Sequence, residues 1–105
     1  LTRLAHLMGK KPSQLRIYDP YYCAGAVVGK LRSLGFGNVY NRNEDCYHVW
    51  RENREPVHDV VVTNPPFSGD HKERCLSHCV EGGRPWAMVL PSYCATKRYF
   101  GEIAA

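Results

Sequence analysis

Apolar residues along the chain follow two rhythms. Leu1, Leu4, Ala5, Leu7 and Met8 recur at helical spacing and predict a short amphipathic helix, closed by Gly9 and the Lys10–Ser13 turn. Leu15 to Asp19 alternates at period two, as a strand does, until Pro20 stops it. A small-residue turn, Tyr21 to Gly25, leads into a helical stretch from Ala26 to Leu34 that ends at Gly35. Gly37 to Asn41 reads as a second strand. His48 to Pro56 is a polar connector with no clear periodicity. Val57 to Thr63 carries three consecutive valines, the mark of a strand buried on both faces. Ser68, Gly69 and Asp70 offer N-caps for a helix over His71 to Val80, which Gly82-Gly83 ends. Pro85 to Leu90 is another apolar strand closed by Pro91, and Ser92 to Gly101 begins a loop and a further helix. This alternation predicts an α/β fold: a mostly parallel sheet with helices on both faces.

Composition narrows the class. At 105 residues, with 44% hydrophobic and 23% charged residues, the chain has the size and balance of a single soluble domain. No apolar run approaches the roughly 20 residues of a membrane span, so no membrane partner is expected. The five cysteines are odd in number, scattered and without a CxxC pair, which predicts reduced thiols in an intracellular protein (cytoplasm or nucleus). The first residues have neither an initiator Met nor a signal-peptide layout, so residues 1–105 read as one partial domain of a longer protein. A formal net charge of +4 tilts the expected partner toward an anion.

The sharpest chemistry lies at Asn64-Pro65-Pro66-Phe67, directly behind the valine strand. Two prolines forbid further sheet pairing and an immediate helix, and they stiffen the turn. Such a turn can aim the Asn64 side-chain oxygen and a neighbouring carbonyl at one point. Two converging acceptors suit an –NH2 group, taking both protons and leaving the lone pair outward. Phe67 offers a flat face for a planar amide or base.

Asn64-Pro65-Pro66-Phe67 after a valine-rich strand resembles motif IV of the S-adenosylmethionine-dependent amino-methyltransferases, which methylate adenine N6, cytosine N4 or a protein glutamine amide. Asp19-Pro20-Tyr21-Tyr22-Cys23-Ala24-Gly25 resembles motif I of the same family, with Cys23 where the first turn glycine usually stands. The resemblance implies a Rossmann-like class I methyltransferase core, incomplete at its C-terminal end, with S-adenosylmethionine bound across the strand ends. It implies cofactor contacts at Asp19 and Gly25, with Tyr21, Tyr22 and Cys23 as pocket walls. Asn41 stands where the family places an acidic ribose contact, and Asp45 where an adenine contact is expected. Asn64, Pro65, Pro66 and Phe67 would carry catalysis by direct methyl transfer. Lys72, Arg74, Arg84, Lys97 and Arg98 follow strand ends in this reading and suggest a phosphate-binding rim, with Lys72, Lys97 and Arg98 as substrate contacts. The substrate expected is RNA or DNA adenine; a protein glutamine, or a non-catalytic domain that keeps the fold, are the alternatives.

Two other chemistries compete. His71, Cys75 and Cys79 at i, i+4 and i+8, with His78 adjacent, suggest zinc, but no CxxC knuckle supplies further ligands. The simpler expectation is that Cys75 and Cys79 face the sheet as small apolar residues, and that no metal is bound. Cys23 as a nucleophile lacks a base beside it in the sequence. Trp50, Trp86 and most tyrosines are expected in the core.

Overall fold

A computed structural model of the chain describes residues 1–22, 26–66 and 68–88. Four short strands, β1 (Ile17–Tyr18), β2 (Val39–Tyr40), β3 (Val60–Thr63) and β4 (Trp86–Met88), pair in the order β2-β1-β3-β4. Every pairing is parallel. Parallel neighbours cannot be joined by a tight hairpin, so each connection carries other structure. Helix α1 (Thr2–Leu7) precedes the sheet; α2 (Ala26–Ser33), α3 (Cys46–Arg51) and α4 (His71–Gly82) lie between strands. The α/β expectation is met as a small all-parallel sheet with helices.

Successive strand residues serve two separate clusters, because side chains alternate across a pleated strand. Ile17, Val60 and Val62 pack with Ala5, Leu15, Leu31 and Phe36. Tyr18, Val61 and Met88 pack with Tyr21, Cys46, Cys75 and Cys79. The valine run is therefore apolar at every position because each position is buried. Cys75 and Cys79, one turn apart on α4, take the place of larger apolar residues where the helix meets the sheet. Trp50 and Trp86 are half-buried against the second of these clusters. The Trp50 indole N–H donates to Tyr18 Oη at 3.1 Å, and its ring stacks on His78 with centroids 3.8 Å apart.

The stretch expected as a polar connector, His48 to Pro56, begins inside a helix, α3, which runs from Cys46 to Arg51. Asp45 starts it by accepting a hydrogen bond from the Tyr47 amide at 3.0 Å. Cys46 and Val49, three residues apart, then bury one narrow face. α4 runs past Val80 to Gly82 and is closed by Gly83 at φ 70°, a left-handed conformation that glycine adopts without a Cβ penalty. At the amino end of β3, the buried Asp59 carboxylate accepts from Lys10 Nζ at 2.8 Å, Arg16 N at 2.8 Å and Arg16 Nη2 at 2.9 Å. The Arg16 and Lys10 bonds hold the Asp59 carboxyl well below the usual carboxylate range. No described helix is long and apolar enough to cross a membrane. The helix expected within Ser92 to Gly101 lies outside the described residues.

Candidate functional site

The strand order fixes where a ligand would sit. From β1 the chain moves outward to β2, then returns past β1 to β3 and continues outward to β4. The direction reverses between β1 and β3. In open α/β sheets, the crevice outside the carboxyl ends at such a reversal is where ligands bind. Asp19 follows β1, Asn41 follows β2 and Asn64 follows β3, so three residues singled out in the sequence come to this one edge.

A buried hydrogen bond ties the two central strand ends. Thr63 Oγ1 donates to Asp19 Oδ1 at 2.5 Å, and the Asp19 amide donates to Tyr40 O at 2.9 Å. Asp19 is only 4% exposed. Burial pushes its carboxyl up to about 6, against the opposing pull of the Thr63 hydroxyl and the Tyr21 amide. Asp19 thus faces into the fold. Its expected role as an open cofactor contact is overlaid by a role in joining β1 to β3.

The other expected contacts divide similarly. Asn41 Nδ2 donates to the carbonyls of Asp19 at 3.0 Å and Tyr21 at 3.2 Å, clamping the turn around Pro20. Its side-chain oxygen is the atom left for a ligand. Asp45 is exposed and caps α3. Tyr21 is buried, whereas Tyr22 is 54% exposed. Asn64 is exposed, Pro65 is fully buried and Pro66 is exposed, so the motif is anchored through its first proline with Asn64 turned outward. Cys23, Gly25, Phe67, Lys97 and Arg98 lie outside the described residues.

Of the expected basic rim, three residues are described, and they do not share one face. Lys72 is half-buried in the first turn of α4, which leaves the strand-end side. The Arg74 guanidinium sits 3.5 Å from the centre of the Tyr47 ring, committed to a cation–π contact. Arg84 does not follow a strand end. It precedes β4, at the opposite edge of a parallel sheet, in a small crevice with Glu55 and His58. The strand expected from Pro85 onward already put Arg84 ahead of a strand, and the parallel direction of β4 puts it on the far edge.

Tyr47 was not singled out as a site residue and His71 only as a candidate zinc ligand, yet both stand beside the strand ends. Tyr21 Oη and Tyr47 Oη are 2.8 Å apart, and Tyr47 Oη lies 2.5 Å from His71 Nδ1. Their separation in the chain hid the grouping; each tyrosine alone looks like a core residue. His71 is engaged here rather than with Cys75 and Cys79, and no cluster of three or more metal-ligating side chains converges among the described residues. The outer surfaces of α3 and α4 enclose an open groove of about 400 Å³, lined by Tyr47, Trp50, Arg74 and His78 among others. It carries Glu73 and Glu81 as well as Arg51 and Arg74, a mixed balance unlike a phosphate channel.

The chain matches no family model, no curated protein and no solved structure.

Proposed function

We propose that the chain is the core of an S-adenosylmethionine-dependent methyltransferase acting on an exocyclic amino nitrogen, with adenine N6 of RNA or DNA as the substrate class. The observation that carries this reading is the position of Asn64-Pro65-Pro66. It leaves β3 at the reversal of strand order, next to the β1 end that Thr63 holds through Asp19. A Rossmann-like sheet covered on both sides by helices belongs to the same reading, supported by the alternation of strand residues between two core clusters.

Two observations support a cofactor here: the Asn41 side-chain oxygen remains an acceptor for a hydroxyl, and Tyr22, which follows the Tyr21 carbonyl that Asn41 holds, is exposed. S-adenosylmethionine, when bound, supplies an electrophilic sulfonium methyl group. The chain's part is orientation. Asn64 Oδ1 accepts a hydrogen bond from one amino N–H of the substrate and a carbonyl of the proline turn accepts one from the other, and the one proton that the methylated nitrogen gives up passes to solvent. Pro65 and Pro66 contribute no N–H to compete for those acceptors. The amino lone pair is thereby left pointing out of the turn, and positioning of this kind accounts for most of the rate in such a scheme. Phe67 would stack on the base plane, and a base within a duplex would first be flipped out. Lys72, with Lys97 and Arg98, would meet phosphates; the formal charge of +4 agrees with that partner.

A second reading, a binding domain that keeps the fold without transfer, is favoured by one observation. Asp19, Asn41 and Asp45 all spend hydrogen-bonding groups inside the protein. Calorimetry with S-adenosylmethionine, followed by incubation with labelled cofactor and separate RNA, DNA and protein extracts, decides between them. Expected are cofactor binding, label in nucleic acid, and a fall of at least roughly 100-fold in transfer for Asn64→Ala with cofactor affinity kept. Label in protein alone would move the substrate to a glutamine amide. Absence of cofactor binding would sink the enzyme reading.

A further inference from the structure

We propose that Tyr47 and His71 are positioning residues: with Tyr21 they form a hydrogen-bonded staple that fixes the start of α4, the end-point of the segment carrying Asn64, against the turn after β1. The three side chains come from three different segments. Tyr21 lies in the turn after β1, Tyr47 in the first turn of α3, and His71 at the first position of α4, where the Asn64 loop ends. Their polar atoms meet in a closed set: Tyr21 Oη to Tyr47 Oη at 2.8 Å, Tyr47 Oη to His71 Nδ1 at 2.5 Å, and Tyr21 Oη–H to the His71 carbonyl at 3.2 Å.

Proton counting shows that the set completes itself. If His71 Nδ1 carries a proton, it donates to Tyr47, Tyr47 donates to Tyr21, and Tyr21 donates to the His71 carbonyl. If Nδ1 is bare, Tyr47 donates to it and the Tyr21 proton is shared between Tyr47 Oη and that carbonyl. Either way no buried hydroxyl is left without a partner. The rings are held as well as the hydroxyls. Tyr47 and His71 lie nearly parallel, at 10°, and the Arg74 guanidinium covers the Tyr47 face at 3.5 Å. Trp50 meets Tyr47 edge-on at 5.3 Å.

Filling space does not require these hydroxyls, since phenylalanine would pack in the same apolar cluster. Bringing polar atoms together there costs desolvation and returns a fixed geometry. What they fix is the carbonyl of the first α4 residue. The loop bearing Asn64 is thus held at both ends, by the sheet and the Thr63–Asp19 bond on one side and by the staple on the other. In the methyl-transfer reading, on which the functional half of this inference rests, that holds the Asn64 acceptor in place; a shift of about 1 Å at such a group can cost 10²-fold in rate.

Tyr47→Phe deletes one hydroxyl and keeps the ring. Amide hydrogen exchange, followed by mass spectrometry on the ligand-free protein, should speed up by about 5-fold in peptides covering 64–70, with exchange in β3 unchanged. Where transfer is measurable, kcat should fall with the KM for cofactor unchanged. Tyr21→Phe should reproduce both effects, and the double variant should cost less than the sum, because the residues act as one unit. If Tyr47→Phe does not fold, Tyr21→Phe is read in its place. Faster loop exchange without any transfer activity would uphold the staple and overturn the enzyme reading. Robust transfer with loop exchange and kcat unchanged in both variants would overturn the staple and leave the enzyme reading standing.

Discussion

The Asn41 amide nitrogen reaches two carbonyls across the Asp19–Tyr21 turn, and this geometry decides what a substitution there does. By resemblance, an acidic residue in that place would improve a ribose contact, so Asn41→Asp looks like a repair. The hydrogen bonds argue the reverse. A carboxylate has no protons to donate, and it would set negative oxygens against two carbonyl oxygens close to the buried Asp19. Asn41→Asp is expected to lower stability by about 1–3 kcal/mol, the range for leaving buried acceptors without donors. Denaturant midpoints measure this, and calorimetry on the same variant gives the cofactor affinity. Unchanged stability with tighter binding would return Asn41 to the role of a ligand contact.

At the scale of elements, α4 and α3 face the sheet through cysteines. Cys46, Cys75 and Cys79 are buried free thiols. Burial pushes the Cys46 thiol up to about 11, and the neighbouring Cys79, together with burial, pushes the Cys75 thiol up. The thiolate is the reactive form, so Cys46 and Cys75 should resist iodoacetamide at pH 8, and burial alone shields Cys79, until the domain unfolds. Mass mapping of labelled peptides across a denaturant series checks this; labelling in native buffer would show that α4 opens locally. The helix period of α4 and the continuous valines of β3 were legible in the sequence because each pattern is local. α3 was not, since only Cys46 and Val49 are buried over its six residues, although Asp45 ahead of an i, i+3, i+4 apolar set was the available signal. The strand-end position of Asn64 was legible from the valines and prolines. The internal use of Asp19 and Asn41 and the Tyr21–Tyr47–His71 set depend on contacts between distant segments, which periodicity does not record.

For the molecule as a whole, the buried Asp19 carboxyl links the candidate site to stability. Its folded-state pKa of about 6 lies above the ordinary 3.8, so the folded chain holds this proton more tightly than the unfolded chain. The resulting stabilisation is full below the unfolded value and is lost as pH rises through about 6. Relative to Asp19→Asn, which cannot titrate, the wild type should therefore lose up to about 3 kcal/mol between pH 4 and pH 7. Parallel denaturation curves for the two proteins test this; parallel pH profiles would show that the carboxyl is already charged in the fold. The Asp59 clamp bears on a different property, the order in which the molecule assembles. Arg16 and Asp59 stand 43 residues apart, and the β1–β3 pairing beside them spans a similar length of chain. Closing a loop of that size costs entropy before any contact repays it, whereas β1 and β2 meet across a shorter segment. The crevice lies between the ends of β1 and β3, so it has no second wall without the long-range pairing that the clamp adjoins. One strand, β3, thus supplies both the second wall of the candidate site and residues of both core clusters, so a substitution that loosens it should be felt in each.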